Sequence, residues 1–409
     1  MLIRTDRQLN IIISALTLLI TASPVPANEP AGEFVFTPLT SSADINNWNP
    51  SAPWKLPAGF SQTLVSDEND LNIYDKGRND WTDMNTVNET GSKAGRFLYR
   101  THEMRHTPEG AAVSVVDLQS GKAMIVAQGR SWRAIDGIRW TPWGSLLIGE
   151  EKQEGRLFEI ILDDSLTTGK AVDRPAAGRM AHEGIEVDKQ GAVYLVDEFR
   201  GETEGFGGSI YKFVPKSFGD LSDGRLYVLK VKGNPDGTGQ GIWAGPINPA
   251  NARKSSRAIG GTSYQRPEDL EIIGDTLYAA ITDGKDYAGR VLAINLRTLQ
   301  VRNFIKPGIN APIETKEKTG FAKPDNLAES PDGRLVIIED NSPSDIWFAE
   351  KDNNGDGMAD SVSLFASLTD PKAEGTGIYF APDSAILYVN IQHSAAEDGD
   401  STWAIRKQP

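Results

Sequence analysis

The sequence predicts an all-β fold, a six-bladed β-propeller with its blades set around a central channel. Three observations predict it. First, an acid, a small or polar residue, and Ile or Leu recur in that order. The copies are Asp136-Gly137-Ile138, Glu183-Gly184-Ile185, Glu268-Asp269-Leu270 and Asp325-Asn326-Leu327, and Thr376-Gly377-Ile378 has lost the acid. Second, a turn signal and a β-rich run follow each copy, as in "SPDGRLVIIEDN". Third, another turn leads to a further strand, as in "SDIWFA". Units of this kind, repeated every roughly 40–50 residues, cannot bury their faces alone and must stack around an axis.

Residues 1–27 read as a cleaved secretory signal. Arg4 and Arg7 give a basic start, Ile11 to Ala22 a short apolar run, and Val25-Pro26-Ala27 a cleavage site. The run is too short to remain across a bilayer, and no later segment is long and apolar enough to span one. Residues 28–409 are then a single propeller domain, expected in the periplasm or outside the cell as a monomer. The segment containing "GEFVFTPL" is expected to supply the strand that closes the ring. A degenerate first repeat reads "GRFLYRTHE", then "AAVSVVDL". The six middle strands should begin near residues 97, 146, 193, 277, 335 and 387. The wide gap before the fourth holds a Gly- and Pro-rich insertion around 213–262, either a lid over the rim or an addition to the outer edge.

In a propeller blade the first strand leaves one rim and the second returns to it. Its start and the second strand's end therefore share a face. Glu183 is followed 14 and 15 residues later by Asp197 and Glu198. The same offset joins Asp136 to Glu150 and Glu151, Glu268 to Thr282 and Asp283, and Asp325 to Glu339 and Asp340. Front acids are thus expected at the channel mouth and tail acids just outside them. Packed carboxylates repel, and burial adds to the cost, so such a mouth needs metal ions, arginine or shared protons. Metals fit best, since hard cations take oxygen ligands. The alternative for the tail acids is turn capping through bonds to backbone amides. Of the four histidines, His102, His182 and His393 also fall at motif positions on this rim. Arg266 is the cation beside a front acid.

The net charge of −14 argues against nucleic acid, whose phosphates need a basic face, and suits a cationic partner. With no cysteine in the chain, disulfides, thiolate metal sites and cysteine nucleophiles are excluded. A separate segment, "DNNGDGMAD", places Asp352, Asn354, Asp356 and Asp360 at calcium-loop spacing, with Gly357 for the sharp turn. It lacks the acid at loop position 12, where Ser363 falls, and its rival reading is a plain polar turn.

From about residue 75 onward the chain resembles the PhoX-type alkaline phosphatases, a family of exported six-bladed propellers. The resemblance rests on "THE" (101–103), "TPWGSLLIGEE" (141–151), "HEG" (182–184), "RPED" (266–269), "PDNLAESPDG" (324–333) and "YVNIQH" (388–393), in that order. It implies a metal-dependent phosphoric ester hydrolase acting on a small phosphate ester, with iron and Ca²⁺ at the channel mouth. By matched motif, Glu183 and Glu268 resemble iron-site carboxylates and Arg266 the phosphate-facing cation. Glu150, Glu103 and Asp325 resemble further metal-site residues. His182 is expected to orient a ligand or shuttle a proton, and His102, Glu151, Asn326 and His393 to form a secondary rim. One departure matters. Where the family places an iron-ligand cysteine before the paired glutamates, this chain has Gly149. That leans the site away from iron and towards Ca²⁺, Mn²⁺ or Mg²⁺, with Ca²⁺ the expected cofactor. It also keeps two other readings open, a non-catalytic Ca²⁺-binding propeller and a Ca²⁺-dependent lactonase-like hydrolase. The family often exports through a twin-arginine signal, whereas "RTDRQ" has no Arg pair and looks Sec-like.

Overall fold

The computed structural model describes residues 34–71, 73–74, 80–201, 206–282, 289–315, 319–382 and 384–408. Residues 1–27, which the sequence reads as a secretory signal, lie outside them. Six inner strands, Thr82–Val87, Ile135–Trp140, His182–Val187, Pro267–Ile273, Pro324–Glu329 and Glu374–Phe380, start blades 1 to 6. Each inner strand contacts the next, and the last contacts the first, so they close a ring. The middle strands begin at residues 97, 146, 193, 276, 335 and 387.

Burial explains the apolar patterning. The middle strand Leu146–Glu150 is buried throughout, whereas the outermost strand of the same blade, Gly169–Asp173, is not buried at any position. A strand covered on both faces reads as continuous apolar sequence, while an edge strand alternates or turns polar. The core is six apolar clusters, one between each pair of neighbouring blades. The cluster joining blades 6 and 1 includes Val65, Tyr388 and Ala404 on one side and Val87, Leu98 and Val116 on the other.

The closing strand is Phe60–Asp67, which pairs antiparallel with Ser401–Lys407 as the fourth strand of blade 6. The expected segment does not close the ring. Phe34 and Phe36 instead pack as a plug against Phe348 and Phe365, and the Leu39 amide donates to the Leu364 carbonyl. Aromatic residues read as a strand here because both uses bury alternate rings. The insertion extends the outer edge. It supplies the fourth strand of blade 3, Asp220–Gly233, and then Gly239–Ile247, which also bonds Gln300–Ile305 of blade 4. The short helix Ala252–Ala258 follows, and its Arg253 reaches Asp197.

Candidate active site at the channel mouth

Five of the six inner strands slip register at their start, as between His182 and Ile185 or Pro267 and Leu270, and the sixth slips later, between Thr376 and Tyr379. The slip spans the front acid in each blade that keeps one. Such bulges bend a strand and re-aim a side chain. Packing beside them is tight: a Cβ on Gly137 would lie 1.7 Å from the Glu183 carbonyl oxygen.

A second repeated device positions the tail residues. Amides of Glu103, Glu151, Glu198, Thr282 and Asp340 donate to the carbonyls of Trp81, Ala134, Ala181, Arg266 and Lys323, at 2.8–3.0 Å. These carbonyls all belong to the residue two before a front position. Trp81, Ala134 and Arg266 have positive φ there, which a non-glycine residue seldom adopts. The second tail acid is thereby tied to the mouth in blades 2, 3 and 5; in blade 4 the hairpin is one residue shorter and Thr282, expected as the first tail residue, takes that place.

The first tail residue points the other way, because successive side chains on a strand face opposite sides. Glu150 is wholly buried, and Arg156 grips both its oxygens at 2.7 and 2.8 Å, with the Arg133 amide at 3.0 Å. Burial opposes its ionisation, but those bonds outweigh it and hold the carboxyl below its usual range. Asp197 accepts from the Ala181 amide and from Arg253, and Glu339 from the Ala322 and Lys323 amides and Trp347. These acids clamp the loop that enters their own blade.

The mouth is a cavity of about 290 Å³, lined by eight carboxylates (Asp83, Glu103, Asp136, Glu151, Glu183, Asp325, Asp340, Glu374) and two arginines, Arg105 and Arg266. At this mouth Glu183, Glu268 and Asp325 each bring an oxygen within 4.8 Å of the others, as do Glu103, Asp136 and Glu151. A like-charged pair at that distance costs roughly 3 kcal/mol at an effective dielectric near 20, so an ionised triad costs about 10. That matches the whole stability of an ordinary domain. Asp136 Oδ1, Glu183 Oε2 and Glu268 Oε2 are buried without a hydrogen-bond partner. Burial, then neighbouring carboxylates, push Asp83 up to about 8 and Glu103 to about 7, and hold Asp136, Glu151, Glu183 and Asp325 well above the usual range. Burial also raises Glu268 to about 8. Two oxygen-only triads with orphaned atoms are what a hard cation fits.

Arg266 is fixed by Glu198 at 2.5 Å, Glu268 at 2.9 Å and Asp340 at 3.3 Å. Across the cavity Arg105 pairs with Glu103 and Glu151. His393 lines the cavity, edge-on to Trp81 and 3.5 Å from Glu374.

Several expected residues stand apart. Glu150 joins neither triad. His182 is fully buried outside the cavity lining and bonds the Gly178 carbonyl at 3.1 Å. Burial depresses its pKa to about 4, so it stays neutral and out of reach of solvent protons. His102 is buried between the Asp80 carbonyl and Ser114. Asn326 ties blade 5 to the Gly377 amide of blade 6. Asp283 lies outside the described residues. In the proposed calcium loop, Asp352, Asn354 and Asp356 accept from the amides of Gly355 and Gly357, Asp356, and Met358, and Asp360 accepts from Asn353. The loop lies at the opposite rim, and its oxygens serve Asx-type turns. A second cavity of about 300 Å³ at the channel's far end surrounds Arg139, which is paired with Glu186 and Glu271.

Sequence reasoning missed Asp83, Arg105, Trp81 and Glu374. "WTDMNTV" is the inner strand of blade 1, with Asp83 as its front acid. Glu374 stands two residues before Thr376, the same offset that separates Arg266 from Glu268. Gly149 has a steric reason: a Cβ there would lie 2.6 Å from the His182 Cβ. A cysteine there would require the strands carrying Gly149 and His182 to move apart.

None of the curated protein sequences compared matches the chain. Among solved structures, Pseudomonas fluorescens PhoX in complex with vanadate, a transition state analogue, is similar over 91% of this chain and 98% of its own, with 18% identity and a TM-score of 0.65. A Thermus thermophilus protein assigned as an oxidoreductase (glucose dehydrogenase) is similar over 85% of this chain and 100% of its own, with 12% identity and a TM-score of 0.50. At these identities both likenesses speak to the propeller fold alone. The family model for alkaline phosphatase PhoX matches residues 76–395, a span that includes all six inner strands. The chain belongs to the PhoX alkaline phosphatase family.

Proposed function

We propose that the protein is an exported, monomeric, metal-dependent phosphoric ester hydrolase with its active site at the acidic mouth. One observation carries the reading: two carboxylate triads with unpartnered oxygens meet at a cavity that also holds two arginines. Family membership supports the phosphate ester as substrate class. The vanadate bound by the Pseudomonas protein is in keeping with phosphoryl transfer.

Glu183, Glu268 and Asp325 would hold one cation, and Glu103, Asp136 and Glu151 a second. Bound there, cations supply Lewis-acid polarisation of the phosphoryl group and acidify water. Oxygen-only donors and the lack of any cysteine in the chain favour Ca²⁺ over iron. Arg266 has its Nε held by Glu198 and Glu268 and its Nη1 by Asp340, so the guanidinium is set before substrate arrives. It would bind the phosphate oxygens and stabilise the charge they gain in the transition state. Arg105 would do the same from the opposite wall. Burial, then the Asp340 carboxylate, raise Glu374 far above an ordinary acid. It would hold a proton on its carboxyl that can be returned to the leaving alcohol.

The test is p-nitrophenyl phosphate turnover by the metal-loaded protein and by Arg266→Ala. A fall of about 100- to 1,000-fold with an unchanged circular dichroism spectrum is expected. Equal turnover in the two proteins would remove Arg266 from the site.

A further inference from the structure

A third carboxylate cluster lies outside the mouth cavity, at the seam where the ring closes. Glu68 follows the closing strand Phe60–Asp67, Asp400 precedes its partner Ser401–Lys407, and Asp80 precedes the inner strand of blade 1. Each contributes an oxygen within 4.8 Å of the other two, and all three are buried. The backbone helps gather them. Amides of Asp80 and Asp400 donate to the two Glu68 oxygens at 3.2 and 3.4 Å, and the Ser394 amide donates to Asp400 at 2.7 Å.

What the backbone does not do is balance the charge. Asp80 is 2% exposed, and its Oδ1 has no hydrogen-bond partner. Its other oxygen lies 3.7 Å from His102 Nδ1, but burial and the Arg100 guanidinium depress that imidazole's pKa well below its ordinary value. It therefore carries no charge to offer. Arg100, buried, donates to Ser114 and Thr402 at 3.1 Å each. Among the described residues no ion pair within 4 Å joins it to the three acids; its charge favours the Asp80 carboxylate from a distance, and one guanidinium leaves three acids under-compensated. Three buried carboxylates from chain positions 68, 80 and 400 thus face one another with an unused oxygen among them. Two of those positions flank the strand pair that seals the propeller.

We propose that this seam holds a hard divalent cation, calcium by its all-oxygen donors, which bolts the closing strand to blade 1. The site is structural. It stands whether or not the mouth hydrolyses phosphate esters, since none of the three acids lines the mouth cavity. A cation bound only by the folded ring resists its opening by mass action. Its contribution falls where the ring would open first, between the first and last segments of the chain.

The test uses the full protein and calcium alone, with stoichiometry by equilibrium dialysis and Tm by calorimetry. Glu68→Gln/Asp400→Asn is compared with wild type and with the mouth variant Glu183→Gln/Glu268→Gln. The seam variant should bind one calcium fewer per chain than wild type. Its calcium-dependent rise in Tm should also be roughly 5 °C smaller than that of wild type, a share that belongs to the seam and that the mouth variant keeps while losing the share supplied by the mouth. Equal calcium stoichiometry in wild type and seam variant overturns the proposal, as does an undiminished Tm rise. Should the double variant fail to fold, Asp80→Asn keeps the side-chain shape, removes the charge and carries the same two expectations.

Discussion

Glu150 and Glu151 differ by one position on a strand, and that position decides their chemistry. Glu150 turns into the blade and is consumed by Arg156, while Glu151 turns to the mouth beside Glu103 and Asp136. Substituting them should separate stability from metal binding. Glu150→Ala leaves Arg156 and the Arg133 amide without their acceptor and should destabilise the fold by about 3 kcal/mol in urea titration. Glu151→Gln should leave the urea midpoint of the metal-free protein near wild type or higher and weaken metal binding. A Glu150→Ala protein as stable as wild type would contradict the clamp. The sequence made the acid pair visible but not which member faces the axis, because motif matching names a residue type and carries no strand phase. Arg105 was missed for a related reason. It lies beyond the strand end in "THEMRH", where only the loop's path brings it back to Glu103.

The inner strand is the element that builds the mouth, through its bulge, its left-handed residue and its amide tie to the second tail acid. Where the acid-small-aliphatic signature was intact, the strand and its register were legible, and all six middle strands start within a residue of their expected places. Blade 1 hid its inner strand because Thr82, Asp83, Asn85 and Thr86 give it no apolar alternation, although all are buried. Blade 6 hid its acid two residues early, at Glu374. The ring-closing strand was misplaced because Phe34 and Phe36 bury their rings without pairing. Contacts between elements also bear on Gly149, since His182 of blade 3 packs where a Cβ on that residue of blade 2 would lie. Gly149→Cys alone should therefore lower the Tm by several degrees, in the range of a ~1–3 kcal/mol overpacking penalty, and recruit no iron. A Gly149→Cys protein that keeps its Tm and binds iron on reconstitution would show the position to be open.

At the scale of the whole ring, convergent carboxylates make the metal-free fold sensitive to pH. Glu103 titrates near 7, and Asp83 and Glu268 near 8, against about 4 in an unfolded chain. Raised carboxyl pKa values favour the folded state fully below the unfolded value. That contribution is lost as pH rises through the folded values of about 7 to 8. The chelated protein should therefore unfold at lower urea at pH 9 than at pH 5, and added calcium should close the gap. A metal-free midpoint that rises from pH 5 to pH 9 would contradict this. The claim underneath is that cations held by the two mouth triads make the site competent for phosphate esters. The most direct measurement is p-nitrophenyl phosphate turnover before chelation, after it, and after calcium is returned, with bound metal counted at each stage. The account predicts turnover that vanishes with the metal and returns with it. Turnover that survives complete metal removal, or that never exceeds the uncatalysed rate at any metal content, would contradict it.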